Sequence, residues 1–405
     1  MFEFNKTIYL IIFLICVYFI YIRNKKHIFW DIQPVTRNSN EQDVKIIKEL
    51  TQNNTIIEPF PKTLTLEKIE VFNNINSTQT HTFLSKSNTG EEWRQFINKH
   101  YMKYTKYSKS YINWILHYPT KHFPSLHILS PDHWNLVLRN SEKSIIGSIR
   151  ATPTQLSVYG KKFYIFYVDF LCIHKSVRKL RLAPKLISAM VNKGAITPFQ
   201  SFVFKKENKP LPFQYVSKLN YYILDINEVS FTPDLINIQH YDIHTLDEST
   251  LNSTIEKIFT FVNNSAKKYP IHPIFMMKDF KYLFLTRKKV VYSYYIEDKN
   301  TKSIIGFVSF LHYKGTFKTN NFYLLELFYG FMNPKFTNYS LEQFVYSLLP
   351  KFKKLGYSYI LCTNTQDYKY MLDKLGFKKR ENLYIHFYNL SAPLTPSSDI
   401  CFNMP

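Results

Sequence analysis

An aromatic-rich apolar run, Phe163 to Ile173, ends in a basic turn, His174-Lys175-Ser176-Val177-Arg178-Lys179-Leu180-Arg181. Leu182-Ala183-Pro184 then leads into Lys185-Leu186-Ile187-Ser188-Ala189-Met190-Val191. These residue types, in this order, suit one chemistry: holding an anion beside a polarised carbonyl. A turn that feeds a helix presents backbone N–H groups with no intrahelical partner, and the macrodipole favours negative charge there. Arg178, Lys179 and Arg181 add positive charge suited to phosphate oxygens. Pro184 reads as the first helical position, where a missing N–H costs nothing. A strand running into such a turn can also leave backbone amides free to polarise a carbonyl. The combination reads as an acyl-CoA site. Each part alone has a plainer reading: the strand as core, the arginines as a solvated turn, His174 as structural.

Such a turn needs strands behind it and a helix ahead of it. Glu91 to Tyr104 has a helical pattern, and His133 to Leu138, Ile145 to Thr152 and Gln155 to Tyr159 read as short strands separated by polar turns. The succession recurs more weakly later. Val290 to Ile296, Ile304 to His312 and Phe322 to Gly330 read as strands and Leu341 to Lys354 as a helix. A strand over Tyr357 to Thr363, a helix over Asp367 to Leu375 and a strand over Leu383 to Tyr388 close the chain. Residues 40–90 are polar and read as loop with short elements. The expectation is an α+β fold of two similar halves meeting near residues 222–235; no short repeat period is present, which excludes a solenoid.

The 405 residues are 45% hydrophobic and 17% aromatic, enough for a large core. A formal charge of +22 invites a nucleic-acid reading, but the lysines are scattered, with no basic tail and no nucleic-acid-binding motif. With only 9 glycines beside abundant Lys, Asn, Ile, Tyr and Phe, the charge reflects compositional bias. An anionic membrane leaflet or anionic CoA suits it as well. Cys16, Cys172, Cys362 and Cys401 are too dispersed for a disulfide framework or a zinc site, so neither a metal nor an oxidising compartment is expected.

Thr7 to Ile22 carries no charge. As a helix it spans roughly 24 Å, slightly short of a ~30 Å hydrocarbon core, with Phe2, Phe4 and the tyrosines able to extend it. No small-residue cleavage site follows. Arg23, Lys25 and Lys26 outnumber Lys6, so residues 1–23 are expected to be a single-pass membrane anchor with the remainder facing the cytosol. A buried core helix is the alternative.

Phe29-Trp30-Asp31-Ile32-Gln33-Pro34-Val35 resembles the Phe-Trp-Asp-x-Gln-Pro-Val motif of the eukaryotic N-myristoyltransferases. Phe170-Leu171-Cys172-Ile173-His174-Lys175, with Arg178, Arg181, Ala183 and Pro184 in register, resembles their acyl-CoA motif. Ile112-Asn113-Trp114-Ile115-Leu116, Ile146-Gly147-Ser148-Ile149, and Asn382-Leu383 to Tyr388-Asn389 extend the likeness over nearly the whole chain. The resemblance implies tandem acetyltransferase-like (GNAT) halves after the N-terminal transmembrane helix. Residues 24–225 would hold myristoyl-CoA, and residues 226–405 would shape a peptide groove. It implies a monomer that moves a tetradecanoyl group from myristoyl-CoA, a co-substrate with no further cofactor, to the N-terminal glycine of a protein or peptide. The Phe170 and Leu171 amides would form the oxyanion hole. His27, Ile28, Phe29 and Trp30 would line the mouth for CoA and acyl chain. Leu171, Cys172, Ile173, Lys175, Arg178, Lys179, Arg181, Leu182, Ala183 and Pro184 would contact the acyl-CoA. The base would be the chain's own terminal carboxylate, on Pro405, with no side-chain nucleophile.

Five departures stand out. Asp169 occupies the place of the usual Asn, so it could orient or deprotonate the incoming ammonium. Arg181 stands where the wider superfamily usually has Gly. Asn98-Lys99-His100 replaces an acidic run, which would repel a substrate lysine. Val203-Phe204-Lys205-Lys206 replaces a small Thr-Ala-Gly stretch, and Gln214 to Leu219 lacks the usual His. A membrane-tethered, inactive relative that binds acyl-CoA or lipopeptide therefore remains the alternative to an enzyme of altered peptide preference.

Overall fold

The computed structural model describes residues 28–37, 40–51, 60–69, 89–101, 134–195, 197, 199–230, 240–317, 320–335, 340–366 and 368–403, together with 9, 11–15, 17 and 18. The strands in chain order are β1 (Lys45–Ile46), β2 (Thr65–Ile69), β3 (Trp134–Arg139), β4 (Ile145–Val158), β5 (Lys161–Ile173), β6 (Ser201–Glu207), β7 (Ser217–Asp225) and β8 (Tyr241–Thr245). They continue as β9 (Ile271–Pro273), β10 (Val291–Asp298), β11 (Ile304–Phe317), β12 (Asn320–Met332), β13 (Tyr357–Thr363), β14 (Lys378–Tyr388) and β15 (Leu390–Ser391). The helices are α1 (Ile28–Asp31), α2 (Thr89–His100), α3 (Leu182–Gly194), α4 (Asn252–Ala266), α5 (Met277–Phe284), α6 (Leu341–Lys354) and α7 (Lys369–Lys374).

One sheet runs through the molecule in the order β2-β3-β4-β5-β6-β14-β7-β13-β12-β11-β10-β8, with β9 beside the end of β4. Its ladders are antiparallel except at two places, β5 with β6 and β12 with β13. Both parallel ladders are short. The first ends at Val168↔Phe204 while β5 continues to Ile173, and the second ends at Glu326↔Leu361 while β12 continues to Met332. The sheet therefore splits twice. Each split is accompanied by an extra residue in the antiparallel ladder on the other side, in β5 opposite β4 and in β12 opposite β11.

Helix α3 packs on the first split through Leu182, Leu186, Ala189 and Met190, in a core with Leu138, Ile149, Phe166 and Phe202. Gly147 permits the close approach: a β-carbon there would meet Ile173 and Leu186 at 3.1 Å each. Around the second split α6 packs Phe344, Val345, Leu348 and Phe352 against Val308, Phe310 and Leu325.

Three expectations are corrected. Ile145 to Tyr159 forms not two strands but one, ending at Val158, and Pro153 does not interrupt it. Ladder β3 stops at Ala151 and β9 begins at Leu156, so Pro153 lies in a gap where no partner needs its N–H. Helix α3 begins at Leu182 rather than Pro184, after a tight turn over Lys175–Leu180. Pro184 is thus its third residue, still among the first amides with no intrahelical acceptor. The third correction concerns the N-terminus. Among the described residues no helix is long and apolar enough to cross a membrane. Residues 9, 11–15, 17 and 18 are helical and exposed, but the uncharged run spans only about 24 Å as a helix. The expected transmembrane anchor, and the single-pass placement inferred from it, fall with that finding.

Candidate active site

Pairing of β4 with β5 goes from Arg150↔Asp169 to Ser148↔Cys172, so Phe170 and Leu171 together face the single Ile149. Phe170 takes up the extra residue with a left-handed backbone, φ 48°. The parallel ladder to β6 has ended at Val168. Neither Phe170 nor Leu171 therefore has a register partner on either neighbouring strand. The bulge turns the Phe170 ring inward, 3% exposed, while Leu171 is 37% exposed. The ring meets Trp93 edge-on at 5.8 Å and Tyr101 at 5.0 Å. Trp93 is fixed in turn by its Nε1, which donates to Ser148 Oγ at 2.6 Å.

Downstream, His174 N donates to Ile146 O (2.8 Å), ending the strand, and Arg178 Nε donates to Ile173 O (3.2 Å), closing the turn. Arg181 adopts φ 54° and is the residue before α3; no side chain caps that helix end. Its left-handed backbone explains why Gly suits this position. Lys175, Arg178, Lys179 and Arg181 are all exposed around these amides. Leu182 is buried, while Ala183 and Pro184 are half-buried. Cys172 is buried, and burial pushes its thiol up to about 12, so it is no nucleophile at neutral pH.

The distant Phe-Trp-Asp segment reaches the same split. Trp30 packs on Phe213 at 4.8 Å and stacks on Phe204 at 6.5 Å, and Phe204 is the residue at which β6 parts from β5. Phe29 lies against Trp30 at 4.9 Å. Arg37 donates to the carbonyls of Trp30 and Asp31 at 2.7 Å each, ending α1. Tyr388 OH donates to Gln33 Oε1 at 2.7 Å, so the segment is tied to the end of β14. His27, Pro405 and the Ile112 to Leu116 motif lie outside the described residues, as does the side chain of Ile28.

The C-terminal tail runs inward. Ile400, Cys401, Phe402 and Asn403 are at most 3% exposed. Cys401 N donates to Ile271 O (2.8 Å), and Phe402 meets Tyr167 edge-on at 6.1 Å. Asn403 lies in the second split: its Nδ2 donates to Leu327 O (3.4 Å) and Phe328 O (3.3 Å), and Tyr329 OH donates to its carbonyl at 2.6 Å. From the other half, Lys205 Nζ donates to Asn403 Oδ1 at 2.6 Å.

Sequence reasoning missed Arg150, Lys205 as a tail contact, and Glu326. Arg150 faces Asp169 and engages both of its carboxylate oxygens. Burial pushes Asp169 up to about 6, against the charge and hydrogen bonds of Arg150 and the charge of Lys205. Burial lowers Lys205, with Glu326, Asp169 and Glu207 opposing, and raises Glu326, with Lys205 opposing. The departure at Lys205 thus sits in a half-buried charge cluster between the halves, and the one signal for it was an out-of-pattern lysine in an apolar strand. Lys99 is exposed, and His100 packs against His174 at 4.6 Å beside the basic turn.

A sheet that splits twice, a strand bulge beside the first split, a basic turn at a helix end and a weaker second copy of the arrangement define a fold of the tandem N-acyltransferase type. Sequence comparison gives the particular family. The family described as Myristoyl-CoA:protein N-myristoyltransferase matches with its N-terminal domain over residues 43–213 and its C-terminal domain over residues 242–398. The chain belongs to the N-myristoyltransferase family. It is 28% identical over 247 residues to a glycylpeptide N-tetradecanoyltransferase of Kluyveromyces lactis, an alignment covering 56% of this chain and 51% of that one. The match to the Emericella nidulans protein of the same name is 26% identical and covers 73% of this chain and 62% of the relative. The chain thus spans little more than half the length of these two relatives. The Dictyostelium discoideum protein matches at 24% identity over 93% of this chain and 92% of its own. The crystal structure of Saccharomyces cerevisiae N-myristoyltransferase with bound myristoyl-CoA superposes with a TM-score of 0.75 at 18% identity, covering 92% of this chain and 94% of that one, which shows a shared fold.

Proposed function

We propose that the chain is an N-myristoyltransferase that moves the tetradecanoyl group of myristoyl-CoA to the amine of an N-terminal glycine. The bulge carries this reading. It breaks the β4–β5 ladder at Phe170 and Leu171 on a strand that leads directly to the basic turn, so one element can serve both the thioester carbonyl and the CoA phosphates. The neutral glycine amine attacks the thioester carbon, and the oxyanion that forms is held by the two amides. The C–S bond then breaks, CoA leaves as thiolate and takes a proton, and an amide remains. Lys175, Arg178, Lys179 and Arg181 neutralise the CoA phosphates, with Leu182, Ala183 and Pro184 beside the pantetheine. His27, Ile28, Phe29 and Trp30 line the acyl mouth, and the chain works as a monomer without a resident cofactor. The halves divide between residues 225 and 226, the first binding acyl-CoA and the second shaping the peptide groove. The proton of the amine goes to the carboxylate of Pro405 and from there to the departing thiolate, which restores the base; burial of the tail up to Asn403 supports an inward terminus.

Incubation of the full chain with myristoyl-CoA and a panel of glycine-initiated peptides tests the reading through release of CoA thiol and a mass gain on the peptide. Background release with every peptide, while myristoyl-CoA still binds, would leave an acyl-CoA-binding protein and no enzyme.

A further inference from the structure

Asp169 is the residue least suited to a site that must stabilise an oxyanion, because an ionised carboxylate beside it raises the cost of new negative charge. Its surroundings resolve the conflict. Arg150 stands opposite it on β4; Nε donates to Oδ1 at 2.7 Å and Nη2 donates to Oδ2. The two side chains are 2% and 8% exposed. The guanidinium carbon also lies 4.5 Å from the centroid of the Phe170 ring. One cation therefore grips the residue before the bulge by a two-pronged hydrogen bond and the first bulge residue by its ring. With both carboxylate oxygens engaged, Asp169 is poorly placed to accept a proton from substrate.

The second half supplies an internal control. Its bulge at Phe328 is flanked by Phe310↔Leu327 in the place of Arg150↔Asp169. Phe310 and Leu327 are buried and apolar, and Phe328 is not among the left-handed residues. This fold can thus build the split and the extra residue from apolar side chains alone. Of these two bulges, the charge pair stands at the one in β5, beyond the point where β6 has parted from it, and there Phe170 holds a left-handed backbone. Such a residue costs about 1–2 kcal/mol and persists only where its neighbours over-determine it.

Resting on the acyl-transfer reading, we propose that Arg150 and Asp169 are a positioning pair that locks the bulge, aiming the Phe170 and Leu171 amides at the thioester carbonyl while keeping the carboxylate charge neutralised. The pair touches no reacting atom; it acts through the backbone it holds. A bidentate fork fixes both the height and the tilt of residue 169, which a single-point cation cannot do.

The test uses the full chain with myristoyl-CoA carrying ¹³C at the thioester carbonyl. The infrared difference spectrum reads how strongly the bound carbonyl is polarised, independently of any peptide. Asp169→Asn, Arg150→Lys and the double variant Arg150→Phe/Asp169→Leu are compared; the double variant copies Phe310 and Leu327 and leaves neither charge of the pair unpartnered, so it keeps the test open if a single variant fails to fold. Expected is a carbonyl band that returns toward its free frequency in every folded variant. A fall in kcat of roughly tenfold or more should accompany it, with a myristoyl-CoA Kd within about twofold of the original. A double variant with the original band and kcat would overturn the proposal, because an apolar filler would then do as well. So would a shifted Kd with an unshifted band, which assigns the pair to binding. An unaltered chain that binds no myristoyl-CoA would instead remove the acyl-transfer reading, and the pair's role with it.

Discussion

Phe402→Ala should detach the C-terminal tail without unfolding the protein. The ring is 1% exposed, meets Tyr167 edge-on at 6.1 Å, and packs in a cluster with Val203, Val216, Leu219, Leu390 and Ile400. Removing a buried Phe ring costs about 3–5 kcal/mol, part of it the edge-to-face contact of about 1 kcal/mol. Against this, the tail beyond Cys401 is otherwise held by Asn403: two hydrogen bonds with Tyr329, those to Leu327 and Phe328, and the one from Lys205. Each contributes about 1 kcal/mol net, the charged one somewhat more, and ordering each tail residue costs about 1–2 kcal/mol. Without the ring the two sides nearly cancel, so release of residues 402–405 becomes the cheaper response. Hydrogen exchange reads this locally. The amide of Asn403, which donates to Tyr329 Oη at 3.0 Å, should exchange far faster in the variant, while amides in β4 and β5 keep their protection. Turnover should fall while the affinity for myristoyl-CoA stays unchanged, because the tail lies in the second split and the basic turn in the first. A variant with released tail amides and undiminished turnover would refute the claim that the inward tail takes part in proton removal.

Three further outcomes follow from particular residues. Arg181→Gly should relieve a left-handed backbone at φ 54°, raising stability by about 1 kcal/mol in a urea melt, while the lost cation weakens myristoyl-CoA binding and flattens its salt dependence; unchanged affinity would remove Arg181 from the phosphate contacts. Trp93→Phe should lose the hydrogen bond to Ser148 while keeping the contact with Phe170, costing about 1–3 kcal/mol for a buried hydroxyl left with one partner fewer; an unchanged urea midpoint would contradict this. Asp169 has a folded pKa raised from 3.8 to about 6, so the folded state takes up a proton before the unfolded state does. Its contribution to stability must therefore grow as pH falls from about 6 toward 3.8. The original chain should gain stability relative to Asp169→Asn over that window, and a pH-independent difference between their urea midpoints would count against the assignment.

The basic turn and the Phe-Trp-Asp segment were legible because each is local: a few adjacent residues carry charge, ring and turn chemistry together. The helix over Leu341–Lys354 and the strand over Tyr357–Thr363 were legible in the same way, from an uninterrupted periodic pattern. Arg150 was not. On its own, an arginine in Ile149-Arg150-Ala151 reads as the solvent face of an alternating strand, and its partner is 19 residues away across a ladder. The bulge was also invisible, since an extra residue in β5 is defined only by the register of β4. Helix α4 escaped notice because Thr254, Thr260, Val262 and a run of Asn and Ser weaken its local propensity. Ile255, Ile258, Val262 and Ala266 nevertheless bury one face against Phe280 and Phe307, so packing decides its state. The N-terminal apolar run misled for the opposite reason: its composition is that of a membrane span, and its length is not.

The most direct measurement of the central claim is a single-turnover reaction of the full chain, preloaded with myristoyl-CoA, against a glycine-initiated peptide and the same peptide with its amine acetylated. The account predicts that the free-amine peptide gains one tetradecanoyl group with stoichiometric release of CoA thiol, and that the acetylated peptide gains none. Thiol release that is equal for both peptides, or absent with both while myristoyl-CoA remains bound, would contradict it.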